Sequence, residues 1–221
     1  MTDRPYHHGN LPAALLAQAE QTLREQGLDG LSLRELARQI GVSHGAPRRH
    51  FADRQALLDA LAESGFARLG AQLQAAAEGA GENYEARLCA TNTAYVRFAI
   101  SDAALLELMF AGKHREQTGA LHQAADRAFS VILELIEEGQ TNGLLEPGDP
   151  ERIGLLLFAT MHGLAALVTA GIVAAEQVDS LAADATGRFL HGPTTPARTG
   201  AAGTRRRQAK VAHGRQGRSF A

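Results

Sequence analysis

Between residues 44 and 50 the chain gathers His44, Arg48, Arg49 and His50, with Arg34, Arg38 and Arg54 nearby in sequence. A guanidinium can grip phosphate as a fork, and it can also read the major-groove edge of guanine through two parallel hydrogen bonds. Gly45 and Ala46 carry almost no side chain, which lets the backbone between the cations approach a groove floor closely. The chemistry suggested is nucleic-acid recognition. The plain alternative is a solvated charged face on an ordinary helical hairpin.

Such cations read a groove only if rigid elements aim them. Ser32 followed by Glu35 is a capping box opening a helix, and Leu33, Leu36, Ala37 and Ile40 give it one apolar stripe. Gly41 stops that helix in a left-handed turn, and Ser43 can cap a short basic helix over residues 44–50. Two short helices joined by a glycine turn form a helix-turn-helix, whose second helix is suited to the DNA major groove. Pro47, lacking an N–H, keeps that second helix short.

The rest of the 221 residues reads as helix, because Ala, Leu, Glu, Gln and Arg dominate and β-branched runs are scarce. Leu15, Leu16, Ala19 and Leu23 mark a first helix ending near Gly27. Asp53 opens a long one with Leu58, Leu61, Ala62, Leu69 and Leu73 on one face. Further helices fit residues 84–100, 103–111, 117–141 (stopped by Asn142-Gly143), 150–172 (opened by Asp149-Pro150) and 177–190. The expected fold is all-α with about nine helices. It comprises an arm (1–10), a three-helix DNA-binding domain (11–66, its long helix continuing to about 78), a second helical domain (82–191), and a disordered basic tail (192–221).

The formal charge of −2 hides an asymmetry. Seven of the 22 Lys and Arg lie beyond residue 191 with no acid among them. Residues 1–191 therefore hold 15 basic against 24 acidic side chains, a net of −9. DNA affinity must come from a local patch. The tail either adds sequence-independent affinity through counterion release or is a solubilising remnant. The single cysteine, Cys89, excludes an intramolecular disulfide and a thiolate zinc site. No uninterrupted apolar stretch reaches about 18 residues. Residues 153–175 come nearest and read as a buried core helix, so the expected location is the cytoplasm, without a membrane partner.

The runs Ser32-Leu-Arg-Glu-Leu-Ala-Arg, Gly41-Val-Ser43, His50-Phe51 and Arg54-x-x-Leu57 resemble the tetracycline-repressor (TetR) family of transcriptional regulators, and Tyr6-His-His-Gly-Asn-Leu11 is similar to the start of one of its branches. The motif-rich match covers roughly residues 6–66; beyond it only helix number and length agree. The resemblance implies that Ser43, His44, Gly45, Arg48, Arg49 and His50 lie on or beside the recognition helix, with Arg34 close by and Arg54 holding a phosphate. Arg4, His7 and His8 fit either a DNA-contacting arm or a frayed terminus. Two positions depart from the family pattern. Arg48 stands where an aromatic is usual, and Phe158, not Trp, precedes His162-Gly163.

The resemblance further implies a homodimer through the helices at about 150–172 and 177–190, which are apolar on more than one face. Dimerisation places two recognition helices on a pseudo-palindromic operator in double-stranded DNA. A sensor pocket for a small, mostly apolar effector would draw on Tyr95, Phe98, Met109, Phe110, Phe129, Phe158, Met161 and His162, each of which also reads as plain core. The nine histidines show no HxxxH or HExxH spacing, and His122 with Asp126 reads as a surface pair. Neither catalysis, a metal nor a cofactor is expected. The leading reading is a repressor released by its effector. The alternatives are an activator or ligand-independent regulator of the same fold, or a helical protein-interaction module that binds no DNA.

Overall fold

The computed structural model describes residues 10–113 and 119–191, and within them every regular element is helical. The arm residues Arg4, His7 and His8, the basic tail and His114 lie outside the described residues. Helix α1 (Leu11–Gln26) opens where Asn10 accepts the Ala13 N–H at 3.3 Å, and it buries Leu15, Ala19 and Leu23. In α2 (Leu33–Gln39) the Ser32 hydroxyl accepts the Glu35 N–H at 3.1 Å. Its far end is a Schellman stop: Gly41 sits at φ 73°, its N–H bonds the Arg38 carbonyl, and the Val42 N–H bonds the Ala37 carbonyl at 2.9 Å.

The helix expected over residues 44–50 is corrected to a turn at His44–Gly45 followed by one 3-10 turn, Pro47–Arg49. Pro47 has no N–H to return to the Ser43 carbonyl, so an α-helix cannot run through it. That carbonyl accepts the Ala46 N–H instead, at 3.0 Å. Pro47 is buried, at the first position of the turn, where a missing N–H costs nothing. With this segment shortened, the described residues hold eight α-helices and three 3-10 turns, where the sequence predicts about nine helices.

Asp53 caps α3 (Arg54–Gly79), accepting the Ala56 N–H at 2.8 Å. This helix runs on from the basic turn to pack against α4 (Tyr84–Ser101), α5 (Ala103–Lys113) and α6 (Ala120–Thr141). It buries Leu58, Leu61, Ala62, Leu69 and Leu73 as their spacing predicts, and also Leu57 and Phe66. At its contact with α6, a Cβ on Gly70 would stand 3.0 Å from the Ala128 Cα, so a larger residue there would push the two helices apart by a few tenths of an ångström. Helix α6 is predicted from Gln117; residues 117 and 118 lie outside the described set.

Helices α7 (Pro150–Thr169) and α8 (Val178–His191) form a hairpin through Gly171 at φ 71° and a 3-10 turn, and both pack on α4. Two expectations are corrected here. The spacing of Ile153, Leu156, Leu157, Thr160, Leu164, Leu167 and Val168 predicts one inward stripe. The residues buried are Leu157, Met161 and Ala165, whereas Leu156 and Leu167 are exposed. Nor is α7 a buried core helix: it is long and apolar enough to cross a membrane, yet 22% of its most apolar 18-residue window is buried. A helix apolar all round carries no periodicity to say which side its own chain covers.

Candidate functional site

Arg34, Ser43, His44, Gly45, Arg48, Arg49 and His50 are all exposed. Arg34, His44, Gly45, Arg48 and Arg54 line one shallow hollow between α2, the basic turn and the start of α3. The surrounding core of Leu31, Leu36, Ala37, Pro47 and Phe51 fixes that geometry from beneath. Within the described residues no carboxylate pairs with Arg34, Arg48 or Arg49. Their charge is available to a polyanion.

The two neighbouring arginines are engaged with the protein itself. Arg38 grips the Glu35 carboxylate through Nε at 2.9 Å and Nη2 at 2.5 Å, and this holds the Glu35 carboxyl below its usual pKa. That engagement leaves only the Ser32 half of the expected capping box. Arg54 donates from Nε to the Leu31 carbonyl at 2.8 Å and from Nη2 to the Leu28 carbonyl at 2.5 Å. Arg54 thus adds a clasp on two carbonyls at the 3-10 turn Leu28–Gly30 while staying exposed at the hollow, with Nη1 outside that clasp.

Behind this surface lies a cluster of charges. Glu20 of α1 pairs with both Arg24 and Arg68, and Asp102 meets Arg24 at 3.1 Å and Arg68 at 3.2 Å. Arg68 of α3 also stands 5.3 Å from the centroid of the Phe98 ring. Asp102 joins α4 to α5 and immediately precedes Ala103. That alanine, with Ala99, Leu106, Glu107, Phe110, Phe158, His162, Ala165, Ala166 and Thr169, lines an open cleft of about 700 Å³ between α4, α5 and α7.

Of the ligand-binding residues expected from the sequence, Phe110, Phe158 and His162 line this cleft. Tyr95 stands behind it. Burial pushes the Tyr95 phenol's pKa up, so it stays protonated and needs an acceptor, and its Oη lies 2.9 Å from His162 Nδ1. With Nδ1 accepting, Nε2–H is the neutral ring's remaining donor. The His162 ring stacks on Phe158 at 5.4 Å. Phe129 lies against Phe158 and lines a smaller hollow on the far side of Phe110. Phe98, Met109 and Met161 are at most 1% exposed and line neither hollow. These three are core, a correction with a simple cause: apolar type does not distinguish a pocket wall from the packing behind it. The small residues that open the cleft leave only a faint signal in the sequence, since Ala165, Ala166 and Thr169 on α7 face Ala103 and Glu107 on α5 only after folding.

The pentapeptide Gly41-Val-Ser-His-Gly45 has the spacing of a hydrolase nucleophile elbow. That elbow needs a strand before the serine and a helix after it. Here the serine follows α2 and precedes a 3-10 turn, and no strand occurs among the described residues.

An N-terminal helix-turn-helix on a larger helical body defines a transcription-regulator architecture. The chain belongs to the TetR family: residues 15–61 match the family described as bacterial regulatory proteins, tetR family, and residues 88–189 match the tetracyclin repressor-like C-terminal domain. Its start is similar to the class A tetracycline repressor from transposon 1721 of Escherichia coli, 45% identical over 53 residues. That match spans 24% of each chain, so the chain matches about a quarter of the length of such curated relatives. A solved protein of unknown function from Rhodococcus sp. RHA1 is 46% identical, covers 86% of this chain and 98% of its own, and superposes with a TM-score of 0.79. FadR from Bacillus subtilis, solved with stearoyl-CoA, shares the fold at 14% identity and a TM-score of 0.64, over 81% of this chain and 98% of its own.

Proposed function

We propose that this TetR-family regulator is a homodimeric, cytoplasmic repressor that leaves its operator when a small, mostly apolar effector enters the cleft between α4, α5 and α7. The observation that carries the reading is the exposed, unpaired guanidinium set at the head of the fold. Arg34, Arg48 and Arg49 face solvent beside Ser43, His44, Gly45 and His50, while neighbouring Arg38 and Arg54 are engaged internally. Arg48 and Arg49 read base edges, and Arg34 contacts phosphate. The DNA-binding domain is residues 11–66 and the effector and dimer domain is residues 82–191.

Dimerisation uses the uncovered apolar side of α7 together with α8. Leu155 is 65% exposed and Leu156 56% in the single chain. Two-fold pairing covers this face without a membrane and sets the recognition turns about 34–36 Å apart for successive major grooves of a pseudo-palindromic site. An effector prefers one spacing of those turns, and operator affinity falls by the difference in its affinity for the two states. Asp102 supports this coupling, since it touches Arg24 of α1 and precedes a residue of the cleft wall.

The test is a gel shift on the promoter beside the protein's own coding region. Arg48→Ala with Arg49→Ala abolishes specific retention while the dimer persists in sedimentation. Undiminished retention removes the recognition turn from the reading.

A further inference from the structure

We infer that the cleft between α4, α5 and α7 takes an aromatic cation, an amine or amidinium carried on a ring body. This rests on reading the cleft as the effector site and adds the chemistry it selects. Its walls are the rings of Phe110, Phe158 and His162 with Leu106 and a set of alanines, which suits a flat apolar body. Among the described lining residues one side chain, Glu107, carries charge, and no described cation pairs with it. A ligand ammonium is the partner that would neutralise it by a charge-assisted hydrogen bond. The aromatic wall also favours a cation, since ring quadrupoles attract positive charge.

A second observation points the same way. Residues 1–191 hold 24 acidic against 15 basic side chains, a field that concentrates cations near this body and repels anions. An acyl-CoA such as the stearoyl-CoA of the distantly similar FadR would bring phosphates toward the Glu107 carboxylate, with no described Lys or Arg lining the cleft to receive them. The Nε2–H of His162 gives the cation's body one neutral donor, suited to an ether or carbonyl oxygen on the ligand.

Three probes separate charge from shape: 4-phenylbenzylamine, 4-phenylbenzyl alcohol and 4-phenylbenzoate share one biphenyl body. Titrated calorimetrically into the full chain, the amine binds tightest and the benzoate weakest. Glu107→Gln weakens the amine about tenfold, the scale of one charge-assisted hydrogen bond, and leaves the alcohol unchanged. Ala166→Leu fills the cleft and weakens all three, which locates them there. Benzoate or stearoyl-CoA binding as tightly as the amine overturns the proposal. So does an amine affinity untouched by Glu107→Gln, or no amine binding up to its solubility limit. Adding operator DNA separates the two readings. Glu107-dependent amine binding that leaves the operator complex intact supports the cleft chemistry and overturns release by effector. Release by stearoyl-CoA with no amine binding does the reverse.

Discussion

Arg54 stands three residues beyond Phe51, at the edge of a surface of exposed cations, and two of its donors are nonetheless held by the protein's own backbone. The Leu28 carbonyl, in a one-turn 3-10 helix, already accepts the Leu31 N–H at 3.2 Å and takes Arg54 as a second donor, while the Leu31 carbonyl lies just past that turn. A planar fork reaches both at once, and a lysine ammonium cannot hold that geometry. Arg54→Lys, which keeps the charge, should therefore lower the free energy of unfolding by about 1–3 kcal/mol, the scale of hydrogen bonds to a charged donor. Urea unfolding without DNA reads it directly. A stability equal to wild type, with only the salt dependence of operator binding altered, would return Arg54 to the phosphate backbone. The sequence made the cation legible but not its acceptors, which come from residues 23 and 26 positions earlier and are chosen by folding. Glu35 repeats the lesson: its place three residues after Ser32 predicts a capping box, and a better partner, Arg38, takes its carboxylate.

Among the elements, those with local punctuation were readable and those without it were not. Ser32, Asp53 and Asp149 each cap the helix their position announces, and Gly41 and Gly143 end helices at positive φ. Asn10, placed in the arm, also proves a cap, and Gly171 ends α7 at Thr169, short of the expected residue 172. Helix α7 has no polar face to orient it, so its inward stripe was unreadable. The cleft, walled by alanines from three helices, left no pattern along the chain. The Gly41 stop tests how far recognition depends on such punctuation. A Cβ there would meet nothing within 4 Å, so the cost of Gly41→Ala is the left-handed backbone alone, about 1–2 kcal/mol. Gly41→Asn, tolerated in that region of backbone space, should recover much of the loss. Because Gly41 sets the angle from α2 into the basic turn, operator affinity should fall with stability in the alanine variant and return in the asparagine one. An alanine variant as stable as wild type would show that the turn can be closed another way.

For the whole molecule, the proposed dimer rests on the uncovered side of α7, through which two recognition turns would act together. Leu156 and Leu167 lie three turns apart on one face, 56% and 42% exposed, outside the stripe that Leu157, Met161 and Ala165 give to the protomer. Charging them should leave the single chain folded, because neither is part of its core. In a two-fold interface each substitution occurs twice, so Leu156→Glu with Leu167→Glu removes four buried leucines. Each is worth about 1.5–3 kcal/mol of burial, and four carboxylates facing one another would replace them. Sedimentation equilibrium should find a monomer with unchanged helical circular dichroism. Two half-sites then bind independently, and operator affinity falls by roughly 10²–10⁴ as the intramolecular second contact is lost. A half-site probe should bind wild type and variant alike, since the basic turn is untouched. A variant that stays dimeric would move the interface off α7 and leave that apolar face to another partner. A monomer that still holds the full operator tightly would show that dimer spacing does not govern DNA affinity.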